Sequence, residues 1–92
     1  MKDLIEKITA FRDARGWKIY HRPKDVALSL MLEAAEVAEH FQWKDDAEIA
    51  AYCREHRGAI GEELADVLYW VLLLSHDLGI DLRAAFFRKM EL

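Results

Sequence analysis

Cysteine, proline and glycine are scarce in this chain: one Cys, one Pro and four Gly among 92 residues. The lone thiol, Cys53, excludes an internal disulfide. It has no helper at metal-binding or catalytic spacing, so it reads as a packing residue in a reducing, cytoplasmic setting. So few chain breakers, and no strand-like alternation beyond a few residues, exclude a many-turned β architecture. Long hydrophobic runs are missing too. The longest, "VLYWVLLL" at 67–74, falls far short of the roughly 20 residues of a membrane span. The start "MKDLIEKITAFRD" is charged and amphipathic, unlike a signal peptide. No run of five basic residues occurs, and the net charge is −4, which argues against a general nucleic-acid or anionic-membrane binder.

What the chain does have is apolar and charged residues in quantity, 53% and 33%. That composition excludes disorder and fits a helical protein. The length is that of a single domain, 1–92, with no room for two cores. Helical spacing of Leu4, Ile5, Ile8 and Phe11 predicts a first helix over 2–15, stopped before Gly16. A loop rich in aromatic and basic groups, "GWKIYHRPK", follows at 16–24. Pro23 then marks the start of a second helix, 24–42. After "WKDD" a weaker third helix is expected at 46–56. Gly58 and Gly61 loosen the next junction before a fourth helix at 60–77, and Asp81 caps a last short helix at 82–90. The expected fold is all-α, a bundle of four to five helices. From Leu64 to Leu74 the fourth helix carries only one charge, Asp66. A helix apolar nearly all round must be covered on most sides. Short helices of one chain can hardly do so, which predicts a bundle completed by oligomerisation, most simply across a two-fold axis.

Two stretches stand out, "EAAEVAEHFQW" at 33–43 and "EELADVL" at 62–68. Residues three apart lie on one helix face, so Glu33 projects with Glu36 and Glu63 with Asp66. Like charges at this spacing repel. Neither pair has a Lys or Arg three or four residues away on its own helix. One such pair is an ordinary solvated face. Two, on two long helices with small or apolar residues filling the gaps, place four carboxylates inside a bundle. A hard divalent cation would hold them there. An all-oxygen set suits Mg2+, with Mn2+ as a substitute, better than iron or zinc. A di-iron centre would want Glu-x-x-His, which occurs nowhere in the chain. Magnesium with exposed waters points to phosphoryl chemistry.

A nucleotide also needs a seat for its base, and aromatic faces stack on bases. Trp70 falls in azimuth between Glu63 and Asp66. Trp43 follows the first pair. Trp17, Tyr20 and His21 sit in the loop before helix two with Lys18 and Arg22. His40 shares the Glu33–Glu36 face and is read as structural or as orienting a carboxylate. His56 and His76 read as structural. Glu39 lies round the helix from Glu33 and is expected to be peripheral. The rival reading is a non-catalytic helical interaction module with an acidic face.

The order "GWKIYHRPKDVALSLMLEAAEVAEHFQWK", a variable helix, then "EELADVLYWVLLLSHDLGIDL" and "KMEL" resembles the MazG-like all-α nucleoside triphosphate pyrophosphohydrolases, and within them the dCTP-pyrophosphatase type. The resemblance covers residues 11 to 91. It implies Glu33, Glu36, Glu63 and Asp66 as the magnesium-holding and catalytic carboxylates. It implies Trp17, His21 and Trp43 as nucleotide-pocket residues, beside Lys18, Arg22 and Trp70. The implied reaction is water attack between the α and β phosphates of a nucleoside triphosphate, giving monophosphate and pyrophosphate. The implied role is nucleotide-pool house-cleaning, and the implied assembly a homodimer or homotetramer with a shared pocket. The family commonly has Tyr four residues after the Asp, where this chain has Trp70. It also commonly follows the "KM" region with an Asn and a Lys-Tyr-Pro element. Within residues 1–92 the bases available for that work are Arg88, Lys89, Lys18, Arg22 and Lys24.

Overall fold

The computed structural model describes residues 1–91, which form five α-helices and one 3-10 turn without a strand. Helix α1 is Lys2–Ala14, α2 Pro23–Glu39, α3 Asp46–Glu55, α4 Arg57–Asp77 and α5 Leu82–Met90, with the 3-10 turn at Trp17–Tyr20. The all-α class expected from the sequence is therefore present, and among the described residues no helix is long and apolar enough to cross a membrane.

Local chemistry explains most boundaries. Gly16 leaves α1 at φ 63°, a left-handed conformation that costs glycine nothing. Pro23 occupies the first turn of α2, where its missing N–H is no loss. Asp45 and Glu48 form a reciprocal capping box at the start of α3: the Glu48 amide donates to Asp45 at 2.9 Å and the Asp45 amide to Glu48 at 3.3 Å. Asp81 accepts from the Ala84 amide at 3.0 Å and starts α5.

Two boundaries differ from expectation. Helix α2 ends at Glu39 rather than 42, and His40–Trp43 form a turn in which Trp43 takes φ 67°. A bulky residue there costs on the order of 1 kcal/mol. The ring of His40, at the last turn of α2, is hydrogen-bonded to the Tyr52 hydroxyl of α3. That contact holds the chain in its reversal towards α3. Helix α4 begins at Arg57 rather than 60, absorbing Gly58 and Gly61. Each interior glycine costs roughly 1 kcal/mol of helix propensity, which the long helix recovers by packing against α2.

The α2–α4 contact is the most extensive in the molecule; α1 lies on α4, and α3 meets it more lightly. The core is small. Val26 of α2 and Leu72 and Leu73 of α4 are the large apolar side chains buried to 1% exposure, joined by the buried polar residues Arg12 and Ser75. The Ser75 hydroxyl is satisfied by donating to the Leu72 carbonyl at 2.9 Å. The remainder is open. The radius of gyration is 15.6 Å, where a compact chain of this length would give about 12 Å. Leu72→Ala should cost about 3 kcal/mol, measured by urea unfolding, because so few other side chains share the core. A loss below about 1 kcal/mol would place the core elsewhere.

Candidate active site

The α2–α4 seam sets the site. Side chains three apart on α2 and three apart on α4 face one another across it. One carboxylate oxygen from each of Glu33, Glu36 and Glu63 falls within a cluster spanning at most 4.8 Å. No lysine or arginine bridges to any of the three: the ion pairs among the described residues are Met1–Asp3, Arg12–Asp77 and Arg22–Asp25. Glu33 and Glu63 each keep one buried carboxylate oxygen with no hydrogen-bond partner. A buried, unpartnered anionic oxygen is costly and calls for an explanation.

The electrostatics record the same crowding. Burial, then the adjacent Glu36 carboxyl, then the charges of Asp66 and Glu63 hold Glu33 above the ordinary carboxylate value of 4.5. Glu63 is raised from 4.5 first by its contact with the Glu36 carboxyl, then by desolvation and by the charges of Glu36 and Asp66, with His40 opposing. The donor set is all oxygen, anionic and partly desolvated, which fits a hard divalent cation such as Mg2+. Glu33, Glu36 and Glu63 would supply the ligands. Asp66 stands outside the three-oxygen cluster but near enough to act on both raised carboxylates.

Two open clefts flank the carboxylates. One, of about 270 Å³, is lined by Phe11, Trp17, Glu33, Asp66, Tyr69 and Trp70. It brings Trp17 and Trp70 beside one member of each carboxylate pair. His21 packs edge-on against Trp70 at 5.5 Å between centroids. Burial, then the charge of Arg12, holds the His21 imidazole below its ordinary value, with Asp77 opposing. The second cleft, of about 450 Å³, is lined by Glu36, Glu39, His40, Tyr52 and Glu63. A larger groove of about 670 Å³ between α1 and the start of α5 has mostly apolar walls and no carboxylate cluster.

The structure thus brings together Glu33, Glu36, Glu63, Asp66, Trp17, Trp70 and His21. Lys18, Arg22 and Trp43 line neither carboxylate-flanking cleft. Arg22 pairs with Asp25 at 2.8 Å, and Trp43 is 92% exposed. Residues not singled out from sequence also take part. Phe11 walls the aromatic cleft, and its helical spacing had marked it only as apolar. Tyr69 does the same beside Trp70. Glu39, expected to be peripheral, walls the second cleft beside Glu36, and Tyr52 joins it because the fold brings α3 to that end of α2.

Residues 28–91 match the MazG-like family, and the chain belongs to that family. Among curated relatives, dCTP pyrophosphatase 1 of Rattus norvegicus is 37% identical over 93 residues and that of Homo sapiens 34% identical over 94. These alignments cover 99% and 100% of this chain but 55% of each relative, so the chain spans about half the length of the curated relatives it matches. The crystal structure of a pyrophosphatase from Archaeoglobus fulgidus DSM 4304 superposes with a TM-score of 0.93 at 40% identity, covering 99% of this chain and 85% of that one.

Carboxylates whose proton affinity is raised by folding stabilise the fold when protonated. The contribution of Glu33 and Glu63 is fully present below their ordinary value of 4.5 and is lost as pH rises through the raised values. In chelator, Glu63→Gln should therefore melt at a higher temperature than the parent protein at pH 7, and that advantage should vanish below pH 4.5. An equal advantage at both pH values would mean that the carboxylates do not repel one another.

Proposed function

We propose that this chain is a magnesium-dependent nucleoside triphosphate pyrophosphohydrolase that cleaves dCTP-like or modified (deoxy)nucleotides to monophosphate and pyrophosphate, clearing unwanted nucleotides from the pool. The observation that carries this reading is the unpaired carboxylate cluster opening directly into an aromatic cleft. The pyrophosphatase names of relatives and of the solved neighbour favour the same chemistry.

Glu33, Glu36 and Glu63 would hold Mg2+, or Mn2+ in its place, with Asp66 beside them as the fourth carboxylate. When bound, the ion neutralises the polyphosphate and favours hydroxide formation from water. The base enters between Trp17 and Trp70, with His21 packed behind Trp70. Water adds to the α phosphorus, the bond to the bridging oxygen breaks, and pyrophosphate leaves. Either Glu33 or Glu36 positions the water and takes its proton. Lys18 and Arg22, exposed cations between Trp17 and the start of α2, are the residues proposed to meet the phosphates, Arg22 after leaving its pair with Asp25.

The active form is a homodimer or homotetramer. The surface accessible to solvent is 7079 Å², against about 5,500 Å² for a typical monomer of this mass. Leu28, Met31 and Leu32 of α2, Leu64 and Leu68 of α4, and Phe86, Phe87 and Met90 of α5 are all at least 40% exposed. A second copy covers these residues; Trp43 is 92% exposed on a left-handed backbone and is available to it. Trp43 then completes the pocket of the neighbouring copy. The lone Cys53, with no partner for an internal disulfide, supports a reducing, cytoplasmic setting.

With magnesium and dCTP, product analysis should show dCMP and pyrophosphate. Orthophosphate released alone would refute cleavage between the α and β phosphates. Glu36→Gln and Asp66→Asn should each lower turnover at least about a hundredfold while keeping the helical circular dichroism. Full rate in either would remove that residue from the metal site. Calorimetry should show magnesium binding strengthened by nucleotide; its absence would favour a non-catalytic interaction module. Sedimentation should find dimers or tetramers at micromolar concentration, and Leu32→Glu should shift them towards monomer.

A further inference from the structure

The aromatic cleft has two walls of different origin. Glu33, Asp66, Tyr69 and Trp70 come from the α2–α4 seam, whereas Phe11 and Trp17 come from α1 and the 3-10 turn. Phe11 and Trp17 are joined to each other, edge to face at 5.7 Å, and the Arg15 guanidinium lies 3.6 Å over the Phe11 ring. This outer wall is a unit, and it must be seated on α4 at a defined distance from Trp70.

The seat is polar. Arg12, next to Phe11, forms a bidentate pair with Asp77 at the end of α4: Nη1 donates to Oδ2 at 2.7 Å and Nη2 to Oδ1 at 3.0 Å. The Arg12 side chain is 3% exposed and that of Asp77 20%. Among the described residues these are the only side-chain hydrogen bonds that tie α1 to α4. The fork geometry of the guanidinium fixes angle as well as distance, which an apolar contact would not. Asp77 lies three turns beyond Asp66, roughly 16 Å along α4, so the pair sits well away from the carboxylate cluster.

We infer that the Arg12–Asp77 pair is a positioning element for nucleotide recognition, holding the Phe11–Trp17 wall at base-stacking distance from Trp70 without contributing to metal binding. The inference rests on the nucleotide reading of the cleft and adds a residue pair that touches neither substrate nor metal. A uniform-binding role of this kind appears in KM and leaves kcat unchanged.

Asp77→Asn keeps the shape of the side chain and removes its charge. It should raise KM for dCTP by about tenfold, the order of one lost base stack, with kcat within about twofold of the parent. The affinity for dCMP, followed by tryptophan fluorescence, should fall by the same factor, while magnesium affinity measured without nucleotide stays unchanged. Arg12→Lys, which keeps the charge but loses the fork, should shift KM in the same direction by less, and Asp77→Glu should recover part of the loss. Because KM belongs to the folded fraction, an unchanged KM overturns the inference however much stability is lost. A fall in kcat together with magnesium affinity overturns it as well. If Asp77→Asn does not fold, Arg12→Lys decides the question on the same measurements. A parent protein that binds no dCMP removes the cleft reading itself, and with it the pair's role. That result is obtained before any substitution is made.

Discussion

Repulsion among carboxylates is the constraint around which this molecule is arranged. The α2–α4 seam is the most extensive helix contact, and one end of it carries three glutamates converging to within 4.8 Å. A seam chosen for stability alone would put Val, Leu or an ion pair there. The fold instead concentrates its fully buried apolar side chains, Val26, Leu72 and Leu73, at the other end. The gain of burial and the cost of crowded charge therefore sit on the same two helices, and one offsets the other. Stability has been given up locally, where the proposed metal site would need unpaired anionic oxygen.

That arrangement divides the labour among the helices. The seam supplies the charged floor and one aromatic wall. Helix α1 and the 3-10 turn bring the opposite wall, Phe11 and Trp17. Helix α3 lines the cleft on the other side of Glu36 and Glu63 through Tyr52, whose hydroxyl meets the His40 ring at the end of α2. The cleft between the aromatic walls, about 270 Å³, is smaller than the roughly 300–1,000 Å³ that encloses a typical small ligand. A single chain offers the floor and two sides of a site and leaves a further side open.

How much of this could be read beforehand depended on whether the signal was local. The carboxylate pairs were legible because spacing by three is a property of one helix, and two repulsive pairs without a basic neighbour have no stabilising purpose. The all-α class was legible because punctuation is so sparse. The start of α4 was misplaced because Gly58 and Gly61 act as breakers only when packing does not override them. The end of α2 was misplaced because its last turn is bonded to Tyr52, twelve residues away. The Arg12–Asp77 pair left no trace at all: its members are 65 residues apart, and each alone is an unremarkable surface charge. Trp43 was read as a pocket residue from resemblance, and its exposed left-handed position is visible only in three dimensions.

The last helix has a consequence for the life of the chain. Helix α5 has nine residues, and only Leu82 and Ala85 are even half-buried. Gly79, at φ 66°, sits at its root. An isolated helix of that length is marginal in water, and this one shows Phe86, Phe87 and Met90 to the solvent. Its order in the single chain rests on the Asp81 cap and the light packing of Leu82 and Ala85. A short helix with so little packed against it is where local unfolding should begin, and the face it would release is of the kind that chaperones and proteases engage.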